Sequence, residues 1–426
     1  GDSGPMTDVI GWRLDDVVDL VRGKKGTLVR LDVIPTAGRA DEVRRLTITR
    51  NEVKLEEQAA QSKIIEINDI EGTPRRIGVI DVPAFYLDFD AYRKGDPDYR
   101  STTRDVKNLL ADLNAADIDG LVVDLRGNGG GSLREANELT GLFIEYGPTV
   151  QIRGTGSRIW RDGKRRRGPY YDGPMAVMID RLSASASEIF AGALQDYGRA
   201  IVVGDRSFGK GTVQTLLDLP EGQLKITESK FYRVSGDSTQ HRGVLPDISY
   251  PSILQHDEIG ESSLDEALDW DRIAPVRHKN YAVVDAILPT LVEKHSERAN
   301  SDPDFQYIWS QKALAEEISG SDLLPLNEAQ RVAQRETQEA QYLLIENARR
   351  VAKGLEPIGS LDDLYGGDNE DGETLEATSS SSEPSIETVT TQDPDEEEDA
   401  LIVETARILT DAINLSGRIM ARADFR

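Results

Sequence analysis

PMAVMIDRLSASASEIFAGALQDYGRAIVVG, residues 174–204, combines two kinds of secondary structure and decides the fold. Residues 174–180 form an apolar run of the length of a buried strand, and residues 200–204 form a second such run. Residues 187–197 between them have the length and composition of a helix. A strand, a helix and another strand in this order are the repeating unit of α/β proteins.

The same alternation extends upstream. IGVIDV (77–82) and LVVDL (121–125) are apolar runs typical of buried strands, and each is followed by a helical pattern, over residues 103–113 and 133–144. We therefore predict an α/β core over residues 51–255. In such folds, reactive groups collect at strand ends, where loops turn into helices.

The segments on either side of this core have different patterns. Residues 1–50 read as a helix and a strand that end a small domain, and residues 256–360 read as helices. The segment 361–400 has fifteen Asp or Glu and no Lys or Arg, so we predict a disordered acidic linker. A final amphipathic helix is expected within 401–426, packed on the protein rather than on a membrane.

Composition excludes several functions. The net charge is -26, of which the acidic linker supplies -15, so a nucleic-acid partner is not expected. The chain has no cysteine, which excludes disulfides and a cysteine nucleophile. No apolar run approaches the roughly 18 residues of a membrane span. Because the chain begins with Gly1 rather than Met, we expect that the natural N-terminus, with any signal peptide, lies upstream.

Histidine is absent from the first 240 residues, so a Ser–His–Asp triad would have to take its base from the last strands or the helical tail, whereas a Ser–Lys pair needs no histidine. Three serines, Ser183, Ser185 and Ser187, lie between a predicted strand and the helix that carries Glu188 in its first turn. One serine would be expected to cap the helix. The spacing does not choose the nucleophile among the three.

Lys210, between two glycines in FGKG, is the candidate base. Its pKa would have to fall from about 10.4 by roughly 3, near 4 kcal/mol, and burial beside Phe208 and Val213 would lower it. Gln214 would share a strand face with Lys210 and orient its amine. One alternative is that Lys210 is an ordinary solvated lysine. The other is a phosphate-binding loop, but that motif requires a Ser or Thr where this chain has Gly211.

DLRGNGGGS (124–132) follows a strand and opens a helix. Runs of glycine let backbone N–H groups approach a ligand closely, and a helix N-terminus adds partial positive charge. A tight turn without a ligand explains the pattern equally well. The segment is not a dinucleotide-binding fingerprint, since Ser132 stands where the third glycine belongs.

Five ordered motifs carry a resemblance to a known family: VIGWRLDDVV, DLRGNGGG, SASASEIFAGALQDYGRAIVVG, FGKGTVQ and FYRVSGDSTQHRGVLPDI. Together they resemble the carboxy-terminal processing proteases, in particular the long bacterial tail-specific branch. The resemblance implies a core related to the crotonase and Clp-protease sandwich, a PDZ domain of which only the end remains at 1–50, and a helical C-terminal extension.

The resemblance also implies roles for individual residues. The nucleophile would be Ser185, the middle serine of SASAS, the general base Lys210, and the third catalytic residue Gln214. The backbone N–H groups of Gly131 and Ala186 would form the oxyanion hole. No cofactor or metal is implied.

The implied partners are protein substrates recognised through apolar C-terminal tails. The resemblance further implies a periplasmic location, with room for an adaptor protein and for peripheral association with the inner membrane.

Two other functions stay open. A binding-only member of the same fold would not need its catalytic residues, and acyl-thioester chemistry would need a carboxylate base and no lysine. Seven basic residues between Arg153 and Arg167 are interpreted as a solvated loop joining two strands, with contact to anionic lipid or an acidic substrate as the alternative. Trp160 in this loop is either a contact residue or a packed one.

Overall fold

The computed structural model describes residues 6–9, 12, 14–33, 44–50, 59–156, 158–281, 283–320, 325–361, 363, 387–390 and 398–423. The chain divides into two compact units. The smaller unit comprises Gly1–Glu57 with Gly359–Glu373, and the larger comprises Gln58–Ile358 with Thr374–Arg426. The candidate site residues all belong to the larger unit.

In the smaller unit, helix α1 (Leu14–Val21) precedes strands β1 (Leu28–Val33) and β2 (Arg44–Thr49), which pair antiparallel. The predicted helix and first strand are confirmed. The second strand was not predicted. Assignment of this unit to a PDZ domain stays a prediction.

The larger unit is built on a mixed sheet, a second antiparallel sheet and several helices. Its strands are β3 (Gln61–Asn68), β4 (Pro74–Asp81), β5 (Gly120–Asp124), β6 (Gly147–Gly154), β7 (Ile159–Lys164), β8 (Met175–Ile179), β9 (Ile201–Gly204), β10 (Thr212–Asp218), β11 (Gln223–Tyr232), β12 (Ile248–Ser249) and β13 (Glu387–Thr390). Its helices are α2 (Phe89–Lys94), α3 (Thr102–Ala115), α4 (Leu133–Thr140), α5 (Ala186–Asp196), α6 (Val283–Ala299), α7 (Pro303–Ser319), α8 (Glu328–Ala352) and α9 (Ala400–Ala423).

The main sheet has the order β12-β9-β8-β5-β4-β3-β13, with parallel pairing from β12 to β4. Its inner strands are apolar throughout because helices cover both faces. In β5, Leu121 and Val123 join the core with α3, α4 and α5, whereas Val122 joins the opposite core with α6 and α9. This two-sided burial confirms the predicted α/β fold and places the ends of β5 and β8 beside each other.

A second sheet of order β10-β11-β6-β7 is entirely antiparallel. It corrects the interpretation of residues 153–167 as a solvated loop, because β7 occupies Ile159–Lys164 and only a short turn joins it to β6. Trp160 lies on β7 and is exposed. The sequence indicated a strand after Lys210 but gave no sign of its partners.

The helices predicted after residue 256 and at the C-terminus are present. Within the acidic linker, Glu387–Thr390 forms β13, parallel to β3, so the predicted disorder is wrong for these four residues. The β-branched Thr388, Val389 and Thr390 suit an edge strand. Most of the rest of that linker lies outside the described residues. No helix in the described ranges is long and apolar enough to cross a membrane.

Candidate active site

Ser185 stands directly before α5, at the end of the turn that follows β8. Its backbone has φ 57° and ψ -108°, a conformation that residues other than glycine rarely adopt. Such a backbone costs on the order of 1–3 kcal/mol and persists only where its surroundings enforce it. Strained conformations of this kind are concentrated at functional sites.

The three serines of the cluster have different environments. The hydroxyl of Ser183 donates to the Leu125 carbonyl at 2.8 Å, and that of Ser187 donates to the Asn128 carbonyl at 2.8 Å. Both serines are fully buried, whereas Ser185 is partly exposed. Of the three, Ser185 is therefore the one that a substrate can reach.

Glu188 in the first turn of α5 connects this helix to the lysine loop, residues 205–211. Its Oε2 atom accepts hydrogen bonds from the backbone N–H groups of Ser185 at 2.8 Å and Lys210 at 2.9 Å. Its Oε1 atom accepts from the Ser207 hydroxyl at 2.6 Å and the Gly209 N–H at 2.7 Å. One carboxylate thus fixes the backbones of both segments.

The protonation of Glu188 follows from its environment. The side chain is buried, and burial raises the pKa of Glu188 to about 7, although the hydrogen bonds from Ser207 and the three N–H groups favour the ionised form. From the sequence, Glu188 is only an acidic residue near a helix N-terminus. Its position beside the apolar residues of EIFAGAL (188–194) was the feature that indicated a buried carboxylate.

Lys210 and Gln214 form the more open side of the site. The Nζ atom of Lys210 donates to Oε1 of Gln214 at 3.4 Å, although Lys210 precedes β10 and the strand register shifts between Val213 and Gln214, so the two do not share a regular strand face. Lys210 is half-buried, and so are Phe208 and Val213, while Gln214 is exposed. The full burial of the amine expected beside Phe208 and Val213 is therefore not found in this structure.

The glycine loop, residues 125–131, turns between β5 and α4. The Phe85 N–H donates to the Gly130 carbonyl at 2.9 Å, and the Ser132 N–H donates to the Phe85 carbonyl at 2.8 Å. Because these two groups make the bridge to Phe85, the N–H of Gly131 between them points away from it. Gly131 has φ 141°, and a Cβ there would lie 2.3 Å from the Phe85 oxygen.

Asn128 connects this loop to the serine turn, residues 180–185 between β8 and α5. Its amide donates to the Val82 carbonyl at 2.6 Å and accepts from the Gly130 N–H at 2.8 Å. Its carbonyl accepts from the N–H of Ala184 at 3.0 Å. A Cβ on Gly130 would lie 2.9 Å from the Ser185 Cβ, so the glycine loop and the serine are in close contact.

Two backbone N–H groups, one at the end of the glycine loop and one at the start of α5, have no acceptor within the part of the chain that the structure describes. They belong to Gly131 and to Ala186, the first residue of α5. A first helical N–H has no intrahelical acceptor. Gly130 lies against Ser185, and Glu188 joins the backbones of Ser185 and Lys210.

One histidine lies nearer than the sequence suggested. The His241 N–H donates to the Gly209 carbonyl at 2.8 Å, next to Lys210. Its ring Nε2 is buried and has no hydrogen-bond partner among the described residues. An experiment on the catalytic base must therefore include this histidine.

Two family models match the sequence of this chain. Residues 76–250, which contain Ser185 and Lys210, match peptidase family S41, a class of serine peptidases. Residues 254–414 match the C-terminal domain of tail specific protease. The chain belongs to the tail-specific protease family.

Two curated proteins and one solved structure are similar to this chain. The chain is 39% identical over 374 residues to the tail-specific protease of Haemophilus influenzae, covering 85% of this chain and 51% of that protein. It is 34% identical over 242 residues to the carboxy-terminal-processing protease of Bartonella bacilliformis, covering 56% and 51%. A photosystem II D1 C-terminal processing protease structure is 25% identical, with a TM-score of 0.43, covering 57% and 61%. The chain spans about half the length of these two curated relatives.

Proposed function

We propose that this chain carries the active site of a serine endopeptidase in which Ser185 is the nucleophile and Lys210 the general base. The observation that carries the proposal is the Glu188 carboxylate, whose Oε2 atom holds the N–H groups of both residues. The partial exposure of Ser185, against the burial of its neighbouring serines, supports its role as nucleophile.

In the proposed reaction, the neutral Lys210 amine takes the hydroxyl proton as Ser185 Oγ attacks the peptide carbonyl. The C–N bond then breaks, the ammonium returns the proton to the leaving amine, and an acyl-enzyme ester remains. Water hydrolyses the ester with the same lysine as base. The Gln214 amide oxygen, by accepting from Nζ, would orient the amine toward Ser185.

The oxyanion of the tetrahedral intermediate would be bound by the N–H groups of Gly131 and Ala186. Both lack an acceptor in the described ranges. Gly131 follows Gly130, which lies against Ser185, and Ala186 begins a helix whose dipole favours negative charge. Preorganised donors of this kind typically contribute about 10²–10³ in rate each.

We also propose substrates, location and partners from the family. The substrates would be proteins with apolar C-terminal tails, and residues 1–50 would be the end of a PDZ domain that recognises such tails. The protein would act in the periplasm. It would bind an adaptor protein and associate peripherally with the inner membrane.

The test is cleavage of an unfolded protein that ends in apolar residues. We expect Ser185→Ala and Lys210→Ala each to lower kcat by at least about 10³-fold. Lys225→Ala, which removes an exposed lysine from β11, is the matched control and should retain activity. His241→Gln should retain most activity if the lysine is the base.

Three outcomes would contradict the proposal. Cleavage that survives both Ser185→Ala and Lys210→Ala would reject the assignment. Loss in His241→Gln with activity retained in Lys210→Ala would make the histidine the base. Binding of the substrate by the wild-type protein with no cleavage would instead indicate the non-catalytic, peptide-binding function.

A further inference from the structure

The last helix of the chain is attached directly to the glycine loop through one carboxylate. Asp399 precedes α9, and its Oδ1 atom accepts from the N–H groups of Leu401 at 2.8 Å and Ile402 at 3.3 Å. This is the arrangement of a helix N-cap. Its Oδ2 atom lies 2.9 Å from Nη1 of Arg126, in the glycine loop.

The other edge of the Arg126 guanidinium binds a second carboxylate, that of Asp124. Its Nε atom contacts both Asp124 oxygens at 3.0 Å, and its Nη2 atom contacts Oδ2 of Asp124 at 2.6 Å. A planar guanidinium held on two edges has a fixed orientation. Arg126 therefore joins the end of β5 to the start of α9.

The contacts continue from Arg126 to the oxyanion donors. The next N–H, of Gly127, donates to both oxygens of Asp180 at 3.0 and 3.1 Å, and Asn128 then fixes Gly130. Gly131 follows directly. The loop is short, so a displacement at Arg126 would change where the Gly131 N–H points.

Helix α9, which begins at the contact between Asp399 and Arg126, is packed against the main sheet. Its residues Ala406, Leu409 and Ala412 are buried against the face of the main sheet opposite α5. Asp399 and Arg126 are both partly exposed, at 40% and 22% of their side-chain surfaces. A partly exposed ion pair contributes little to stability, so its effect would be on placement.

We infer that Asp399 is a positioning residue, which couples the C-terminal helix to the oxyanion-binding loop by capping α9 and holding Arg126 with the same carboxylate. The inference rests on the proposed peptidase function for its effect on rate, while the coupling itself is a property of the fold. It makes α9 part of the active-site support, although the helix lies on the other face of the sheet.

The test compares Asp399→Ser with Glu398→Gln in the full chain. Serine keeps the helix cap but is too short and neutral to hold Arg126. Glu398→Gln removes the neighbouring ion pair with Lys63, 2.8 Å in length, and leaves Arg126 untouched. We expect kcat to fall about tenfold in Asp399→Ser with KM changed less than about twofold, since oxyanion stabilisation acts on the transition state. Asp399→Asn, which keeps an acceptor, should be intermediate.

Hydrogen exchange of residues 126–132 gives a readout that does not need cleavage. Faster exchange there in Asp399→Ser, but not in Glu398→Gln, supports the coupling even if the protein proves not to be a peptidase. Exchange and kcat equal to wild type in Asp399→Ser would overturn it. A lower melting temperature with faster exchange throughout the protein would also overturn it, because Asp399 would then serve only to stabilise α9.

Discussion

The two sides of the candidate site are built differently. On the side of Glu188 and Asn128, both side chains are buried, and most of their hydrogen bonds go to backbone groups of the serine turn, the glycine loop and the lysine loop. On the side of Lys210 and Gln214, the side chains are half-buried or exposed and share one long hydrogen bond. The hydrogen bonds of Glu188 and Asn128 are formed without a substrate, while the side chains of Lys210 and Gln214 remain accessible to one.

Because of this difference, we expect substitutions on the two sides to affect stability and activity differently. Substitutions on the buried side should affect both, because they leave buried donors without acceptors. Substitutions on the open side should affect activity with little change in stability. The predictions below test whether this separation holds.

The largest effect is expected for Glu188→Ala, which leaves four donors without their acceptor. The free energy of unfolding should fall by about 3–5 kcal/mol, and kcat of the molecules that remain folded should fall by at least about 10²-fold. Urea unfolding and kinetics per folded molecule measure the two effects. Glu135→Ala is the control, since Glu135 is equally buried in the first turn of α4 but holds Ser101 and Thr103. An equal loss of kcat in both variants would mean that Glu188 has no special relation to the site.

The next largest effect is expected for Gly131→Ala, a substitution in the glycine loop. The added Cβ would lie 2.3 Å from the Phe85 oxygen at a positive φ, so the loop must move and the N–H with it. We expect kcat to fall about 10²–10³-fold. Gly129→Ala is the matched control, because a Cβ there meets no atom within 4 Å and the backbone does not have a positive φ. Similar kinetics for the two variants would remove Gly131 from the oxyanion hole.

The sequence revealed those parts of the fold that depend on local pattern. Apolar runs such as residues 121–125 and 174–180 predicted strands of the main sheet, because a strand buried on both faces needs apolar residues throughout. The Gly, Ser and Lys motifs at the strand ends predicted a common site, because parallel strands end on one edge of a sheet.

Features that depend on distant pairing were not predicted. The exposed, charged residues 159–164 form β7 only because β6 lies beside them. Glu188 looked like an ordinary residue at a helix start, since its partners Gly209 and Lys210 lie on another loop. The contact between Arg126 and Asp399 joins the middle of the core to the start of the last helix, far apart in the sequence, and no local pattern marks it.

A pH effect on stability should be smaller than the effect of removing Glu188. Burial raises the pKa of Glu188 to about 7 from an ordinary value of 4.5, so between these values the folded protein binds the proton more readily than the unfolded chain. The contribution of this group is therefore fully present below pH 4.5 and is lost as pH rises through 7, by at most about 3 kcal/mol. Unfolding free energies of wild type and Glu188→Gln, measured from pH 4.5 to 8, should differ by an amount that varies across this window. A constant difference would show that Glu188 does not titrate there.

The smallest effect on stability is expected for Gln214→Ala, on the open side. Because Gln214 is exposed, the free energy of unfolding should change by less than about 0.5 kcal/mol. If its amide orients Lys210, kcat should still fall about tenfold with KM nearly unchanged. Gln223→Ala, at the far end of the same hairpin, is the control. The decisive comparison is in the Lys210→Ala background, where Gln214→Ala should have no further effect, since a residue that acts through the lysine has nothing left to orient. An undiminished loss in that background would mean that Gln214 contacts the substrate itself.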